Sequence, residues 1–155
     1  MKAFIPFCLN HGIAFEAHGQ NTMVRFDRNT GELKGFVIRD FGSIRVHNET
    51  LKQSCGVGLD TLPDSPVFAD SMTAVYNRLY HSLVHVHLQH LVRVLDMHHN
   101  GRGWEMFRCY FSEIVPPSDP MYSYFMFQEK IPAKSLVRMW MDNRIFKVHS
   151  LICNV

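Results

Sequence analysis

A strand, a turn and a second strand near the start of the chain constrain its fold more than any other feature. Residues 21–27 are rich in bulky apolar side chains that favour strands, residues 28–31 read Arg-Asn-Thr-Gly, and residues 35–39 supply a return strand. The pattern predicts an antiparallel hairpin. Because antiparallel strands begin and end side by side, Asn21 and Asp40 are expected at the same end of it.

A polar loop leads into this hairpin and carries most of the chemistry that the sequence offers. Residues 16–21 read Glu-Ala-His-Gly-Gln-Asn, which places a carboxylate, an imidazole and two carboxamides together. Magnesium prefers oxygen ligands and takes only one or two carboxylates from a protein, while phosphates and water complete its shell. Asn21 and Asp40 meet that requirement, so the sequence predicts a magnesium-nucleotide site. The alternative is a hydrogen-bonded polar turn that caps a sheet.

Residues 40–42 suggest one use for such a site. They read Asp-Phe-Gly, the triplet that in protein kinases acts with a catalytic-loop Asn to hold the metals on the phosphates of ATP. Kinases also need a loop Asp that accepts the proton of the substrate hydroxyl, and no Asp precedes Asn21 in this loop. Glu16 and His18 are better suited to holding a carboxylate or handling a proton on an amine. A kinase-like phosphotransferase therefore stays an alternative.

The same residues resemble a known family. The run over residues 11–21, His-Gly-Ile-Ala-Phe-Glu-Ala-His-Gly-Gln-Asn, with Arg-Asp-Phe-Gly at 39–42, is similar to the C-terminal part of the siderophore synthetases that work independently of nonribosomal peptide synthetases. This is the aerobactin-synthetase (IucA/IucC) family. Residues 89–91 and 134–139 resemble two further segments of it.

The resemblance implies an ATP-dependent ligase of siderophore biosynthesis, and so a role in iron acquisition. Such an enzyme adenylates a carboxylate of citrate or a related polycarboxylic acid, releases pyrophosphate, and condenses the acid with an amine, hydroxylamine or alcohol. Carried over to this chain, the family implies that Asn21 and Asp40 serve Mg²⁺ and the phosphates of ATP. Gln20 and Arg39 are the remaining candidate cofactor contacts.

Two ionisable residues of the loop are the catalytic candidates by the same resemblance. His18 is expected to serve the substrate carboxylate or to handle a proton, and Glu16 is expected beside it. The side chain of Arg39 could point away from Asp40 along the strand, because neighbouring side chains alternate between faces.

An α+β fold is also implied, with a kinase-like palm in a larger fingers-palm-thumb arrangement. Residues 1–62 are expected to form a partial palm with a small antiparallel sheet and hairpin, and residues 63–155 a mainly helical thumb-like region. Many nucleotide-binding residues of the family lie upstream, in the fingers, so the chain is expected to be a fragment. An inactive fragment that acts as an interaction module is a further hypothesis, and the full-length form could be a homodimer.

Local signals place the helices. A first helix is expected to end at residues 10–12 with Gly12 as its C-cap. Apolar residues at spacings of three and four predict one long helix over residues 71–98, capped by Asp70 or Ser71. Further helices are predicted over 104–114 and 135–141, and residues 43–46 are expected to extend the hairpin sheet.

Charge and length exclude several partners and compartments. The formal net charge of the 155 residues is +2, and the basic residues are scattered, so nucleic acid is not an expected partner. No apolar run reaches the length of a membrane span, about 20 residues. The four cysteines are far apart and the opening segment lacks a signal-peptide pattern, so reduced thiols and a cytoplasmic location are expected.

Histidines and aromatic residues have structural explanations. His81 and His85 are expected to be solvated, His87 and His90 to pack or form hydrogen bonds, and a zinc site is disfavoured because a third ligand is missing. Residues 98–99, both His, are explained by the negative end of a helix dipole. No histidine partner is apparent for Cys55. Most aromatic residues between 110 and 127 are expected in the core.

Overall fold

The computed structural model of the chain describes residues 1–62, 65–134, 141 and 149–153. Within these ranges, a helix and four strands are followed by a run of helices and a last pair of strands, and the strands form two-stranded antiparallel sheets, which agrees with the predicted mixture of α and β structure. The elements in chain order are α1 (Ile5–His11), β1 (Ile13–Ala14), β2 (Thr22–Phe26), β3 (Leu33–Ile38), β4 (Arg45–Val46), α2 (Asn48–Cys55), α3 (Met72–Leu79), a π-helical segment (Tyr80–Leu88), α4 (Gln89–Val94), α5 (Arg102–Ile114), α6 (Pro120–Met126), β5 (Lys130–Lys134) and β6 (His149–Cys153).

The predicted end of the first helix is confirmed. Gly12 caps α1 with a left-handed φ of 65°, and its N–H donates to the carbonyl of Cys8 at 3.1 Å. A Cβ at Gly12 would lie 3.0 Å from the side chain of Thr50, so the site demands glycine for space as well as for its backbone conformation. This turn sends the chain directly towards the polar loop.

The predicted hairpin is also confirmed. Strands β2 and β3 pair antiparallel, with Thr22 opposite Ile38 and Met23 opposite Val37. The carboxylate of Asp27 closes the turn by accepting the N–H groups of Asn29 at 2.9 Å and of the residue after it at 3.0 Å. Asx turns of this kind explain why a short polar run suffices to reverse the chain.

The expectation that residues 43–46 extend the hairpin sheet is wrong. Strand β4 instead pairs with β1, so that Ile13 lies opposite Val46, and the two strands form a separate small sheet. The N–H of His47 donates to the carbonyl of Gly12 at 2.9 Å, next to this pairing. The helix-capping turn thus selects the partner of β4, and within the described residues β2 and β3 pair only with each other.

The long helix begins where predicted, at the Ser71 cap, whose side chain accepts the N–H of Ala74 at 3.3 Å. Helices α3 and α4 are joined through the π-helical segment, and α4 ends at Val94, short of the expected residue 98. The apolar arc holds only in the first half, because Leu79 and Leu83 are buried whereas four predicted arc members are exposed. The exposed members are Val86, Leu91, Val94 and Leu95.

One hydrophobic cluster joins α1, the long helix, α5, α6 and β5. Phe111 of α5 stacks on Phe125 of α6 with ring centroids 4.8 Å apart, and Tyr80 packs edge-on against Phe125 at 4.9 Å. The aromatic prediction is correct for Phe111, Tyr124 and Phe125, but it is wrong for Tyr110 and Phe127, which are 47% and 72% exposed. Helices α2 and α6 and strand β5 were not predicted from the sequence, and the predicted helix over 135–141 lies outside the described residues except for position 141.

Two further sequence expectations can be compared with the structure. In the described ranges, no helix combines the length and the apolar character needed to cross a membrane. Cys8, Cys55 and Cys109 are free thiols. Burial raises the pKa of Cys8 far above its usual value, so this thiol is a core side chain.

Candidate functional site

The polar loop folds back on itself and brings three of the predicted site residues together. The N–H of His18 donates to the carbonyl of Glu16 at 3.0 Å, and the N–H of Asn21 donates to the carbonyl of His18 at 3.0 Å. Asn21 is only 4% exposed. Its amide nitrogen donates to the Glu16 carbonyl at 3.3 Å and lies 3.4 Å from His18 Nε2, which orients its oxygen away from these contacts.

Arg78 on α3 fixes the carboxylate of the loop. Its guanidinium donates to Glu16 Oε1 at 3.1 Å, while the other oxygen of Glu16 lies 3.9 Å from His18 Nε2. Arg45 on β4 lies within electrostatic range of both Arg78 and Glu16. Burial and the positive charge of Arg78 lower the pKa of Arg45, and the negative charge of Glu16 partly offsets this decrease. One carboxylate therefore faces two guanidinium groups and an imidazole.

The π-helical segment supports the loop from behind. The hydroxyl of Ser82 donates in a shared hydrogen bond to the carbonyl of Phe15 at 3.2 Å and to the carbonyl of Arg78 at 2.9 Å, and Nδ1 of His87 donates to the carbonyl of Ala17 at 2.9 Å. Phe15 and Ala17 are two residues apart in the chain. Ser82 and His87 are five residues apart. A π turn closes hydrogen bonds between residues i and i+5, so it brings such a pair closer to one face than an α-helix does.

Arg39 joins the hairpin to the loop. Its backbone N–H donates to the carbonyl of Asn21 at 3.0 Å, and its side-chain Nε donates to the carbonyl of Gln20 at 2.9 Å. The first bond places Asn21 opposite Arg39 and next to Asp40, at the same end of the hairpin, which confirms that step of the sequence argument. The side chain of Arg39 thus reaches back to the polar loop.

Asp40 adopts a backbone conformation that is uncommon for a residue with a side chain. Its φ is 64°, in the left-handed region. Its Oδ1 accepts the N–H of Gly42 at 3.2 Å, and the residue is exposed. The structure therefore places this carboxylate at the open end of the hairpin, where its contact in the described part of the chain is with its own turn.

Aromatic side chains flank the loop. Phe15 packs edge-on against Phe41 at 6.1 Å and against Phe7 at 5.4 Å. These rings border a cavity of about 200 Å³ whose other lining residues, Ala3, Phe4, Phe36 and Ile38, are also apolar. Phe15 and Phe41 thus belong both to the surroundings of the polar loop and to the wall of the apolar cavity.

The residues of the polar loop contribute to the candidate site in different ways. Glu16, His18 and Asn21 share direct contacts, whereas Gln20 takes part through its backbone carbonyl. Asn21 offers a carboxamide oxygen and Asp40 offers a carboxylate, and hard cations such as Mg²⁺ prefer oxygen ligands of this kind. The hairpin sequence between these two residues contains no Cys or His. The cluster around Glu16 suits binding of a negatively charged group.

Sequence reasoning missed Arg45, Arg78 and Ser82. The signal for two of them was present but weak, since Arg78 and Ser82 are polar positions four residues apart in a helix and so lie on neighbouring turns. The hydrogen-bonding role expected for His87 is confirmed by its contact with Ala17.

The solvated role expected for His85 is wrong. Its ring packs edge-on against Tyr80 at 4.7 Å, and both ring nitrogens are buried without a hydrogen bond to the described residues. Burial, and to a smaller extent the charge of His81, lowers the pKa of His85 to about 4. The broader spacing of the π turn moves this side chain inwards, away from the face that an α-helical pattern assigns to it.

Cys55 has a histidine neighbour that the sequence did not reveal. Its Sγ lies 3.4 Å from Nδ1 of His11, which also lies 3.1 Å from the hydroxyl of Ser54. The pair is formed by the ends of α1 and α2, apart from the polar loop.

Comparison with known proteins gives a consistent set of relatives. A family model described as ferric iron reductase FhuF-like transporter matches residues 1–144. The NRPS-independent siderophore synthetase rfs of Rhizopus delemar is 57% identical over 142 residues, which cover 92% of this chain and 22% of that protein. The D-ornithine–citrate ligase of Staphylococcus aureus is 32% identical over 106 residues, which cover 68% of this chain and 16% of the ligase.

A solved structure shares the fold. The crystal structure of the petrobactin biosynthesis protein AsbB from Bacillus anthracis matches with a TM-score of 0.69 and 16% identity, over 98% of this chain and 28% of that one. The chain therefore spans less than a third of each of these proteins.

Proposed function

Since this chain belongs to the FhuF-like C-terminal portion of the NRPS-independent siderophore synthetases, we propose that it supplies the loop and hairpin that hold magnesium ATP for carboxylate adenylation. A carboxylate oxygen of citrate, or of a related polycarboxylic acid, attacks the α-phosphorus of ATP and expels pyrophosphate. An amine, hydroxylamine or alcohol then attacks the acyl carbon, expels AMP and loses a proton. The D-ornithine–citrate ligase, named for joining an amino acid to citrate, supports this substrate class.

The cluster around Glu16 is the observation that carries the proposal. Glu16 holds Arg78 at 3.1 Å, and Arg45 lies within electrostatic reach of both. Two guanidinium groups and one fixed carboxylate leave a net positive charge for an anionic substrate group. His18, held between Glu16 and Asn21, handles the proton that the attacking amine loses.

The hairpin supplies the oxygen ligands for the metal. Asn21 uses its amide nitrogen within the loop, so its oxygen is the atom that Mg²⁺ would take. Asp40 uses Oδ1 for the Gly42 N–H and keeps lone pairs for a cation. Bound magnesium would neutralise phosphate charge during adenylation. Gln20 and Arg39 contact the nucleotide from the same end of the hairpin.

The carboxylate in contact with His18 is a glutamate that is already paired with Arg78, and this favours adenylation over a kinase-like transfer. A kinase base needs a free carboxylate beside the substrate hydroxyl. The fold proposal follows: β2 and β3 belong to a kinase-like palm and the helical part to a thumb. The whole protein would act in the cytoplasm and could form a homodimer.

The test uses the full-length protein. We expect citrate-dependent exchange of pyrophosphate into ATP, and we expect Asp40→Asn to abolish it, because Asn keeps the left-handed backbone and the turn but removes the charge. Asp27→Asn is the matched control, since Asp27 accepts turn N–H groups at the other end of the same hairpin. Full exchange by Asp40→Asn would overturn the metal assignment, and release of ADP with a phosphorylated acid would establish the kinase alternative.

A further inference from the structure

The turn that connects α4 to α5 contains three potential metal ligands that the proposed synthetase site does not use. Asp96, His98 and His99 each offer one ligand atom, and these atoms all lie within 4.8 Å of one another. Oδ1 of Asp96 lies 4.0 Å from Nδ1 of His98 and 3.9 Å from Nε2 of His99. Within the described residues, this group is where two imidazoles and a carboxylate converge.

Backbone hydrogen bonds fix both ends of this turn. The N–H of Met97 donates to the carbonyl of Val92 at 2.9 Å, which closes α4 around Asp96 in the left-handed conformation, with a φ of 54°. The N–H of Gly103, at the start of α5, donates to the carbonyl of Met97 at 3.2 Å. A ligand set carried on a fixed backbone loses little conformational entropy when an ion binds.

The two imidazoles are already arranged side by side. Their ring centroids are 3.8 Å apart with an interplanar angle of 39°. Nδ1 of His98 is buried and has no hydrogen-bond donor or acceptor among the described residues. A buried ring nitrogen without a partner is costly unless something binds it. The dipole explanation from the sequence accounts for positive charge near a helix end but not for this convergence.

We propose that Asp96, His98 and His99 bind one divalent transition-metal ion of the Zn²⁺, Co²⁺ or Ni²⁺ type, with water in the remaining positions. Imidazole nitrogens select such ions over magnesium and calcium, which prefer oxygen ligands. At ligand distances of about 2.0–2.2 Å in a tetrahedron, neighbouring ligand atoms lie about 3.4 Å apart. The separations between Asp96 and the two imidazoles must therefore close by roughly half an ångström, and the separation between the imidazole nitrogens, which is within 4.8 Å, by at most roughly 1.4 Å.

The exposed side chains can make that movement. The side chains of Asp96 and His99 are 84% and 76% exposed, so they rotate without disturbing the core, while the 30% exposed His98 stays in place. The negative end of α4 favours a cation at this turn. Arg93 in the last turn of α4 and Arg102 at the start of α5 are the nearby cations in the chain that oppose it.

A bound ion would fix the conformation of the turn between α4 and α5, because all three ligands belong to that turn. The turn lies beside a cavity of about 190 Å³ between α4 and α5, lined by apolar side chains that include Leu91, Leu95 and Trp104. Binding only to the folded form raises its stability with ion concentration. The site would therefore stabilise the turn that borders this cavity.

The test measures Zn²⁺ binding to the full-length protein without a histidine tag, by calorimetry and by the visible absorption of Co²⁺ in its place. We expect the wild type to bind one more equivalent than the Asp96→Asn/His99→Gln double variant, and each single variant to bind at least ten-fold more weakly at that site. His90→Gln, which changes an exposed histidine of α4 outside the cluster, is the matched control and should bind as the wild type does.

A second measurement keeps folding separate from binding. Both changed side chains are exposed, so the double variant should melt at the wild-type temperature without added metal, and the rise in Tm of several degrees that Zn²⁺ gives the wild type should be smaller in the variant. Equal stoichiometry and equal Zn²⁺-induced stabilisation in the wild type and the double variant would overturn the proposal. Magnesium in excess should not displace the ion, which separates this site from the hairpin.

Discussion

The guanidinium of Arg78 donates a hydrogen bond at 3.1 Å to the carboxylate of Glu16, a residue 62 positions earlier in the chain. Both side chains are 20% exposed, so the pair is mostly shielded from water. It joins the polar loop to the long helix at the point where His18 contacts the same carboxylate. The geometry of the candidate site therefore depends on the stability of α3.

Replacing Arg78 by Met should lower the free energy of unfolding by about 1–3 kcal/mol, because the partly buried carboxylate of Glu16 loses a charged hydrogen bond. Arg45 remains close to Glu16 and limits the loss. Urea denaturation followed by circular dichroism gives the value.

Lys34→Met is the matched control for this measurement. It breaks the Lys34–Glu32 pair, which is 2.7 Å long but joins side chains that are 43% and 66% exposed. Exposed pairs contribute little, so its effect should stay below about 0.5 kcal/mol. Similar losses for both variants would show that the pair with Glu16 is not shielded in solution.

Ser82→Ala should loosen the polar loop at a modest cost in stability. The hydroxyl of Ser82 donates to the carbonyl of Phe15 at 3.2 Å, and its loss should cost about 1 kcal/mol. Because Phe15 precedes Glu16, faster amide hydrogen exchange is expected at the loop residues 16–21. Exchange measured by NMR tests this directly.

Ser112→Ala provides the comparison. Like Ser82, Ser112 donates to the carbonyl four residues earlier in its helix, at 2.9 Å, but it lies on the exposed face of α5 and does not contact the loop. Its substitution should leave loop exchange unchanged. If Ser82→Ala left exchange unchanged as well, the loop would be held without the π-helical segment.

Acid should destabilise the protein through His85. Its folded-state pKa of about 4 lies below the ordinary value of 6.5, so the unfolded chain binds the proton more readily. The contribution of neutral His85 to the free energy of unfolding is fully present above pH 6.5 and decreases as the pH falls from 6.5 to 4. Since the ring is only half-buried, the loss should be about 1–2 kcal/mol. His85→Phe, which keeps the ring against Tyr80, should reduce this loss.

Urea midpoints at pH 7.0, 5.5 and 4.5 measure the effect. The control is His90→Phe, which removes an exposed histidine from the neighbouring helix and should leave the pH dependence as in the wild type. A wild-type pH dependence in His85→Phe would mean that His85 is protonated equally in the folded and unfolded states.

The elements that were predictable from the sequence are those with local causes. Gly12 and Ser71 end and begin helices through contacts within a few residues, and the turn after Asp27 is closed by its own side chain. The hairpin then follows from strand propensity and turn chemistry. A similar local signal marked α6, because Asp119 caps it and Pro120 occupies its first turn, but the sequence argument did not use it.

The remaining features depend on distant parts of the chain. The two-residue strand β4 is too short to specify a partner by pattern, and its pairing with β1 is decided by the capped end of α1. Arg78 reaches Glu16 only once the long helix packs against the loop. The π-helical segment is not marked by a distinctive amino-acid composition. When its apolar spacing is interpreted with an α-helical period, its side chains are assigned to the wrong faces of the helix.

Ser82 and His87 reach the carbonyls of Phe15 and Ala17 because they are five residues apart in the π-helical segment. The number of residues in this part of the long helix therefore matters for the candidate site. Deleting one residue between them would convert that interval to an α-helical turn and rotate everything downstream by roughly 100°. One of the two carbonyls of the loop would then lose its donor, although no side chain of the loop had changed. Engineering of this chain should therefore treat insertions and deletions within residues 82–87 as changes to the candidate site itself.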